Sequence, residues 1–598
     1  MSIAGLKKVT LCGLTKEKAP VLAGLQQLGC MHLLPLCPPP TEVENVASPH
    51  AEGAKKALRF LTNTRQKRRQ LVRDAEFDVE KLVRDVLDLQ QRFRDTTDRR
   101  DFLENRIRAV EPWGDIDFPP EKALADFRIW FYVLPLRKLD ALSRVDLPWQ
   151  IVRKDHRFAY VLVISKEEPP GALLPVPRIH VGALPLAELS SQLQEAEIEL
   201  EDLVAQRQAL TRYIYLLSVN LAEAENNASL AYAAQQTLDD ATIVAVQGWV
   251  PIDAIDGVAA YAEKAELACL VEDPGRDDTP PTLIEQTETL EAGVDLAMFY
   301  QVPSYRSWDP TLLLFASFSL FFAMILADAG YGLILMGGLL AFWKRLGRSQ
   351  KGCAYRNLAV SLFGCTIAYG VLVGSYFGMP PPEASFFERL HILSVNDFDT
   401  MMKLSIIVGV LHIVFANAMM AYVHRFRLIA LSKLGWISAI VGSLILWLFG
   451  QESSWTIVSY ALMAVGVVAI VLFTSGRPVK VASDHLWRLA DGFRGLAGAM
   501  GAFGDVLSYM RLFALGLASA SLAVTFNNLA KDAHEALPGL GLLAAILILG
   551  VGHLLNLGLS LMSGVVHGLR LNFIEFYKWG LPEEGTPFRS FSRKEVQP

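Results

Sequence analysis

Arg511 and Arg570 each stand inside a long apolar run near the C-terminal end of the chain. Arg511 falls in GDVLSYMRLFALGLASASLAV, among Leu507, Met510, Leu512, Phe513, Leu515 and Leu517. Arg570 falls in SLMSGVVHGLRLNFIEF, after Val565, Val566 and Leu569 and before Leu571, Phe573 and Ile574. A cation in a membrane segment costs at least ~2.5–3.5 kcal/mol on insertion scales, so by default it marks a functional site. Two on neighbouring segments point to a site that handles an anion or a proton within the bilayer. An always-charged guanidinium can keep a facing carboxylate ionised by lowering its pKa. No base or metal-ligand cluster accompanies the pair, so no catalytic residue, metal or cofactor is expected.

Five further ionisable residues are candidates because of their apolar surroundings. His567 lies three residues before Arg570 on the same helix face, and Glu575 follows it. Asp505 precedes Arg511, Asp328 lies in ILADAGYG, and His412 lies in GVLHIVF. Asp328, His412, Asp505 and Glu575 have competing structural readings. Asp-Ala-Gly is a good turn, His412 and His553 could be satisfied core histidines, Asp505 could pair with Arg494, and Glu575 could be an ordinary helix-end residue.

The segments that must position these residues fill only half of the chain. With 598 residues, 52% of them apolar, and a mean hydropathy of +0.30, the chain is too hydrophobic for an ordinary soluble protein. Residues 1–305 are charged, whereas 306–580 are dominated by apolar runs. The net charge of −6 singles out no partner, and nothing resembles a nucleic-acid footprint. Cys12, Cys30, Cys37, Cys269, Cys353 and Cys365 lack zinc-type or disulfide spacing and read as free thiols in a reducing compartment. The opening MSIAGLKKVTLCGL has no signal-peptide pattern, which places the soluble half in the cytoplasm. No G-x-x-x-x-G-K-[ST] occurs, so the chain is expected to have no nucleotide site of its own.

The polar half, 1–300, reads as a coiled-coil stalk with small α/β lobes at its ends. Residues 1–45 with 241–272 form the proximal lobe, through KKVTLCGL, CMHLLPL, TIVAVQGWVP and LACLVE. Val79, Leu82, Val86, Leu89 and Phe93 make a heptad seam within a first helical stretch, 51–110. A second seam within 186–236 runs through Leu189, Leu193, Ala196, Leu200, Leu203, Leu210, Ile214 and Leu217, with Arg207 as its break. Between them, FRIWFYVL and FAYVLVI place a distal α/β lobe at 125–182.

The apolar half, 301–598, is expected to hold eight membrane helices, each near the ~20 residues needed to cross. They fall at about 309–327, 329–343, 357–378, 402–423, 434–450, 455–474, 487–530 and 538–580, the last two long and tilted. Alternate loops carry Lys344, Arg345, Arg348, Lys351 and Arg356, then Arg425, Arg427 and Lys433, then Arg477, Lys480 and Arg488. The intervening loops carry Glu383, Glu388, Asp397, Asp399, Glu452, Asp532 and Glu535. By the positive-inside rule both termini are cytoplasmic, Asp505 and Glu575 lie on the cytoplasmic side of the arginines, and Asp328 lies outside.

SYMRLFALGLASA, HGLRLNFIEFYKW and the trailing EEGTPFRSF closely resemble the membrane subunit of V/A-type rotary ATPases, called subunit I or subunit a. DPT, FFAMILADAGYGLIL, GSYFG, GVLHI and GWVP extend the resemblance over essentially the whole chain. It implies a stator facing a proteolipid (c/K) ring whose subunits each carry one carboxylate, with Arg511 and Arg570 separating two proton half-channels. It places Asp328 and His412 near the outer half-channel and His567 and Glu575 near the inner one. The partners it implies are the ring, peripheral-stalk subunits on the polar lobes, a central-stalk rotor subunit, the soluble ATPase head indirectly, and membrane lipid. Segment seven departs from the family pattern, since GLAGAMGAFG carries no Glu before Asp505. The compact length fits the plasma membrane of a bacterium or archaeon. Two other classes remain open at this point: a secondary transporter of an anionic solute, with the arginines as clamps, and a membrane-anchored coiled-coil scaffold.

Overall fold

The computed structural model describes residues 3–37, 49–75, 77–114, 127–167, 169–170, 174–179, 184–285, 291–382, 385–394, 397–450, 454–475, 477, 483–536 and 539–596. Glu383, Glu452 and Lys480, used above to orient the loops, lie outside the described residues.

Charged, heptad-patterned sequence gives long helices first. In chain order the elements are β1 (Leu6–Leu14), α1 (Lys18–Leu28), β2 (His32–Leu34), α2 (Pro49–Thr62), α3 (Val79–Val110), β3 (Arg128–Pro135), β4 (Trp149–Lys154), β5 (Phe158–Ser165), α4 (Leu186–Leu210), α5 (Ile214–Gln236), β6 (Leu238–Asp239), β7 (Ile243–Pro251), α6 (Ile255–Lys264) and β8 (Ala268–Glu272). The apolar half follows as α7 (Glu291–Tyr300), α8 (Thr311–Leu326), α9 (Ala329–Ala341), α10 (Trp343–Leu346), α11 (Gln350–Val373), α12 (Phe386–Leu390), α13 (Phe398–Val423), α14 (Ile429–Phe449), α15 (Thr456–Phe473), α16 (Ser483–Leu496), α17 (Gly498–Leu507), α18 (Met510–Ala536), α19 (Gly541–Arg570) and α20 (Tyr577–Gly580). The protein is mainly helical, with two small sheets.

Two compact units divide the chain. One comprises Leu14–Gly29, Pro35–Val244 and Phe591–Pro598. In it α3 and α4 run antiparallel, since Leu103 and Val110 pack with Leu189 and Ala196, while Leu82 and Val86 cluster with Leu210 at the end of α4 and with Leu217 of α5. The heptad break has a physical cause. Arg207 donates through Nε to the Phe60 carbonyl at 3.2 Å and stacks over the Phe60 ring, so α2 takes the place of a simple two-helix seam there. The three-stranded sheet β3-β5-β4 is antiparallel and buries Leu134, Ala159, Val161 and Val163.

The other unit comprises Met1–Gly13, Cys30–Leu34 and Ala245–Ser590. The composition shift suggests a boundary near residue 300, but hydrogen bonds join the polar strands to the apolar part. Leu6 N–H donates to the Tyr305 hydroxyl at 2.9 Å, Thr282 N–H to the Thr586 carbonyl at 2.7 Å, and Phe588 N–H to the Thr282 carbonyl at 3.0 Å. Strands β2, β7, β1 and β8 lie side by side in this unit, with β1–β8 and β2–β7 antiparallel.

Among the described residues, six helical stretches are long and apolar enough to cross a membrane: Gln350–Val373, Phe398–Val423, Ile429–Phe449, Thr456–Phe473, Ser483–Ala536 and Gly541–Gly580. The first two expected spans are shorter. At 1.5 Å per residue, the 16 residues of α8 and the 13 of α9 reach about 24 and 20 Å, against a ~30 Å hydrocarbon core. They are cut from one another at Ala327, which takes a left-handed conformation (φ 47°), followed by the capping Asp328. The seventh expected span is three helices rather than one, with breaks after Leu496 and Leu507. Glycine-rich GLAGAMGAFG lowers helix propensity through this stretch.

Candidate functional site

Both arginines sit where the α-helical hydrogen-bond pattern changes. Before Arg511 the ladder tightens: Tyr509 N–H donates to the Val506 carbonyl at 3.2 Å, Arg511 N–H to Ser508 at 3.3 Å, and Leu512 N–H to Tyr509 at 3.0 Å. These are i→i−3 bonds of 3₁₀ type. Arg570 closes α19, and residues Leu571–Phe576 then widen into a π-turn. Such departures are frequent at functional sites. The π-turn is pinned by Asn572, which donates to the Gly568 carbonyl at 3.0 Å and accepts from Ser317 Oγ at 2.6 Å.

Those two irregular turns bring Arg511, Arg570, His567 and Glu575 within electrostatic reach of one another, with Ser508 beside the Glu575 carboxylate. Glu575 is only 2% exposed. Arg511 Nη1, His567 Nδ1 and Glu575 Oε2 are buried without a hydrogen-bond partner among the described residues. A buried polar group left in that state costs about 1–3 kcal/mol, so three together are not a packing accident.

The other three sequence candidates are engaged elsewhere. Asp505 accepts from Lys578 Nζ at 2.7 Å and Trp579 Nε1 at 2.8 Å, tying α17 to α20, rather than pairing with Arg494. Asp328 is buried and accepts four hydrogen bonds, from Tyr331 N–H (3.0 Å), Ser375 Oγ (2.7 Å), Phe377 N–H (3.0 Å) and Gly378 N–H (3.0 Å). It caps α9 and latches the 375–378 loop, where Gly378 has φ +75°. His412 shares a 2.8 Å hydrogen bond with the Tyr509 hydroxyl and stacks on Phe576 at 4.3 Å, while its Nε2 is unpartnered among the described residues. Tyr509 can approach because α13 carries Gly409, where a Cβ would stand 2.5 Å from the tyrosine ring.

A second polar line, not singled out from sequence, runs between α18, α19 and α9. Asn527 Oδ1 accepts from His553 Nε2 (3.0 Å), and His553 Nδ1 meets the Tyr331 hydroxyl at 2.8 Å. Asn556 Nδ2 donates to that hydroxyl at 3.0 Å and to the Ser519 carbonyl at 2.9 Å. Ser560 Oγ then donates to Ser519 Oγ at 2.7 Å. His553, Asn556, Ser560, Gly564 and His567 recur every three or four residues, so the line shares one face of α19 and ends at the arginine cluster. That spacing was the available signal.

On the opposite face, Val551, Leu554, Leu555, Leu559, Met562 and Val566 are 50–71% exposed. Arg570, four residues past Val566 and three past His567, borders the open and polar faces. Arg511, on the first turn of α18, lies three residues before the exposed Ala514. The described residues contain no group of three or more metal-ligating side chains.

Helices and site together define a multi-pass membrane protein that carries a paired-arginine cluster beside an open apolar face, with Arg511 half-buried and Arg570 exposed. No family model matches the chain. It is 27% identical over 605 residues to V-type ATP synthase subunit I of Chlamydia pneumoniae, covering 87% of each chain. Against V-type ATP synthase subunit I of Borreliella burgdorferi it is 22% identical over 623 residues, covering 99% of each. With A-type ATP synthase subunit I of Methanocaldococcus jannaschii it shares 28% over 451 residues, 68% of this chain and 63% of that one. The chain is thus similar to the subunit I proteins of V- and A-type ATP synthases, as its arginine motifs suggest. A solved cytoplasmic N-terminal domain of subunit I, homologue of V-ATPase subunit a, is 18% identical and covers 44% of this chain; its TM-score of 0.24 is too low to equate the two folds.

Proposed function

We propose that this chain is the proton-conducting stator of a V/A-type rotary ATPase. The relatives support the coarser statement, that it is a membrane subunit of such a complex. The observation that carries the finer reading is the pair of arginines on α18 and α19, Arg570 at the edge of the open apolar face of α19 and both within electrostatic reach of the buried Glu575 carboxylate. A ring carboxylate sliding along that face would meet two guanidinium groups, and their charge would favour its ionised form. Its proton would leave on one side, and a proton would return on the other.

In this reading Glu575, His567 and Ser508 line the cytoplasmic half-channel, with Asp505, held by Lys578 and Trp579, on its cytoplasmic side. Asn527, His553, Tyr331, Asn556, Ser519 and Ser560 line the outer one, with side chains that can both donate and accept hydrogen bonds and so order water. Asp328 positions the outer loop, and His412 braces the turn carrying Arg511. Crossing by α8 and α9 as a broken pair would complete eight helices. The same proposal includes a division near residue 300 into cytoplasmic and membrane-embedded parts, cytoplasmic termini, and residence in a bacterial or archaeal plasma membrane. The proteolipid ring, peripheral-stalk and central-stalk subunits and the ATPase head are the partners. Arg511→Ala should abolish ATP-driven acidification of vesicles while the complex still assembles. Normal coupled pumping by that variant would end the proposal.

A further inference from the structure

The turn between α13 and α14 separates two clefts that share Phe426 and Arg427 as walls. The first, about 320 Å³, is polar at its rim, where Arg306, His424, Arg427 and Glu583 meet over Met420. The second, about 430 Å³, is floored by Leu428, Leu431 and Leu434 and carries Arg425 and Arg427 at its mouth. Phe426, in the turn, is 88% exposed, and Leu428 at the start of α14 and Leu434 within it are about half exposed, α14 being long and apolar enough to cross a membrane.

Charge at this turn is unbalanced. Arg306 is engaged by the carbonyls of Gly275 and Arg276. Arg425 lies over the rings of Tyr422 and Phe426 at 4.8 and 4.9 Å, and among the described residues neither it nor Arg427 pairs with a carboxylate. Glu583 is the one acid on the rim of the first cleft. An exposed apolar floor with two uncommitted guanidinium groups at its mouth matches an amphiphilic anion lying at a membrane–water boundary, not a soluble one. Basic pockets of this kind seat anionic headgroups.

We infer that the α13–α14 turn is a binding site for an anionic phospholipid, with its phosphate on Arg425 and Arg427 and an acyl chain along Leu428, Leu431 and Leu434. Because Pro582 and Glu583 directly follow α20, the headgroup would bridge α13 to the end of the helical run that carries Arg570. This site requires only that the chain spans a membrane and is independent of the stator reading.

The test is native mass spectrometry of the full chain in detergent, titrated with phosphatidylglycerol and with phosphatidylcholine of the same acyl chains. Phosphatidylglycerol should bind selectively, one molecule per chain at low lipid, with affinity that fades as salt rises. The R425Q/R427Q double variant should bind it roughly 30-fold more weakly, about 2 kcal/mol at ~1 kcal/mol per basic side chain, while R427K keeps most of the affinity. Equal binding of the two lipids, or an unchanged double variant, overturns the site. Binding of glycerol phosphate as tight as that of phosphatidylglycerol also overturns it, in favour of a soluble anion. If the double variant does not fold, lipid selectivity and salt dependence of the unaltered chain decide between the same outcomes.

Discussion

Helices α13 and α19 are both apolar enough to cross a membrane, and both carry histidines, yet they are used in opposite ways. The most apolar stretch of α13 is 56% buried within the protein, whereas that of the Gly541–Gly580 run is 11% buried. On α13, His412 is enclosed by Phe321, Tyr509 and Phe576 and has one ring nitrogen committed to a tyrosine. On α19, polar residues line the inward face as a connected chain, and leucines, valines and a methionine cover the outward face. A titratable residue inside the bundle is therefore not by itself a transport residue. What distinguishes α19 is a hydrogen-bonded polar line on the helix face that also carries His567, one turn from Arg570, together with an exposed apolar face opposite.

This contrast can be broken by substitution. His553→Leu cuts the polar line between Asn527 and Tyr331, and proton flux through the assembled complex should fall severalfold with little change in thermal stability. His412→Leu should do the reverse, shifting the melting transition through loss of the Tyr509 bond, worth about 0.5–1.5 kcal/mol, while flux stays near normal. Flux assays on both variants in reconstituted vesicles check this, and the converse pattern would exchange the roles assigned to the two helices.

Asp328 gives a sharper case of structure against transport. Its carboxylate accepts four hydrogen bonds, and Asp328→Asn would turn a donor against one of those N–H or O–H groups. Hydrogen bonds to charged groups contribute about 1.5–3 kcal/mol each, so a loss of roughly 2–3 kcal/mol in unfolding free energy is expected. Hydrogen exchange should report it at residues 375–378 first. An unchanged stability with lost proton flux would restore Asp328 to the half-channel.

Much of this was legible in the chain itself. Uneven hydropathy separates the polar and apolar halves, and arginines inside leucine-rich runs mark the cluster, because their cost in lipid is large and local. His567 and Glu575 come with Arg570 through near neighbours on one element. Partnerships across distant segments were not legible. Tyr331 meets His553 and Asn556 more than two hundred residues away in sequence, and Asp328 finds Ser375 only once α9 and α11 pack. Neither the 3₁₀ tightening before Arg511 nor the π-turn after Arg570 has a proline to announce it. The breaks in the seventh span were hinted at by glycines alone, and the helix pattern overrode that hint.

The central claim is that the open face of α19 runs against a ring of carboxylate-bearing subunits. Cysteine cross-linking in the assembled complex tests it most directly, using Val566→Cys on that face and Ala416→Cys, buried on α13, as the contrast. With a cysteine placed next to the ring carboxylate, oxidation should join Val566→Cys to the proteolipid and leave Ala416→Cys unjoined. Failure of Val566→Cys, Met562→Cys and Leu559→Cys alike to cross-link in active complexes would contradict the account.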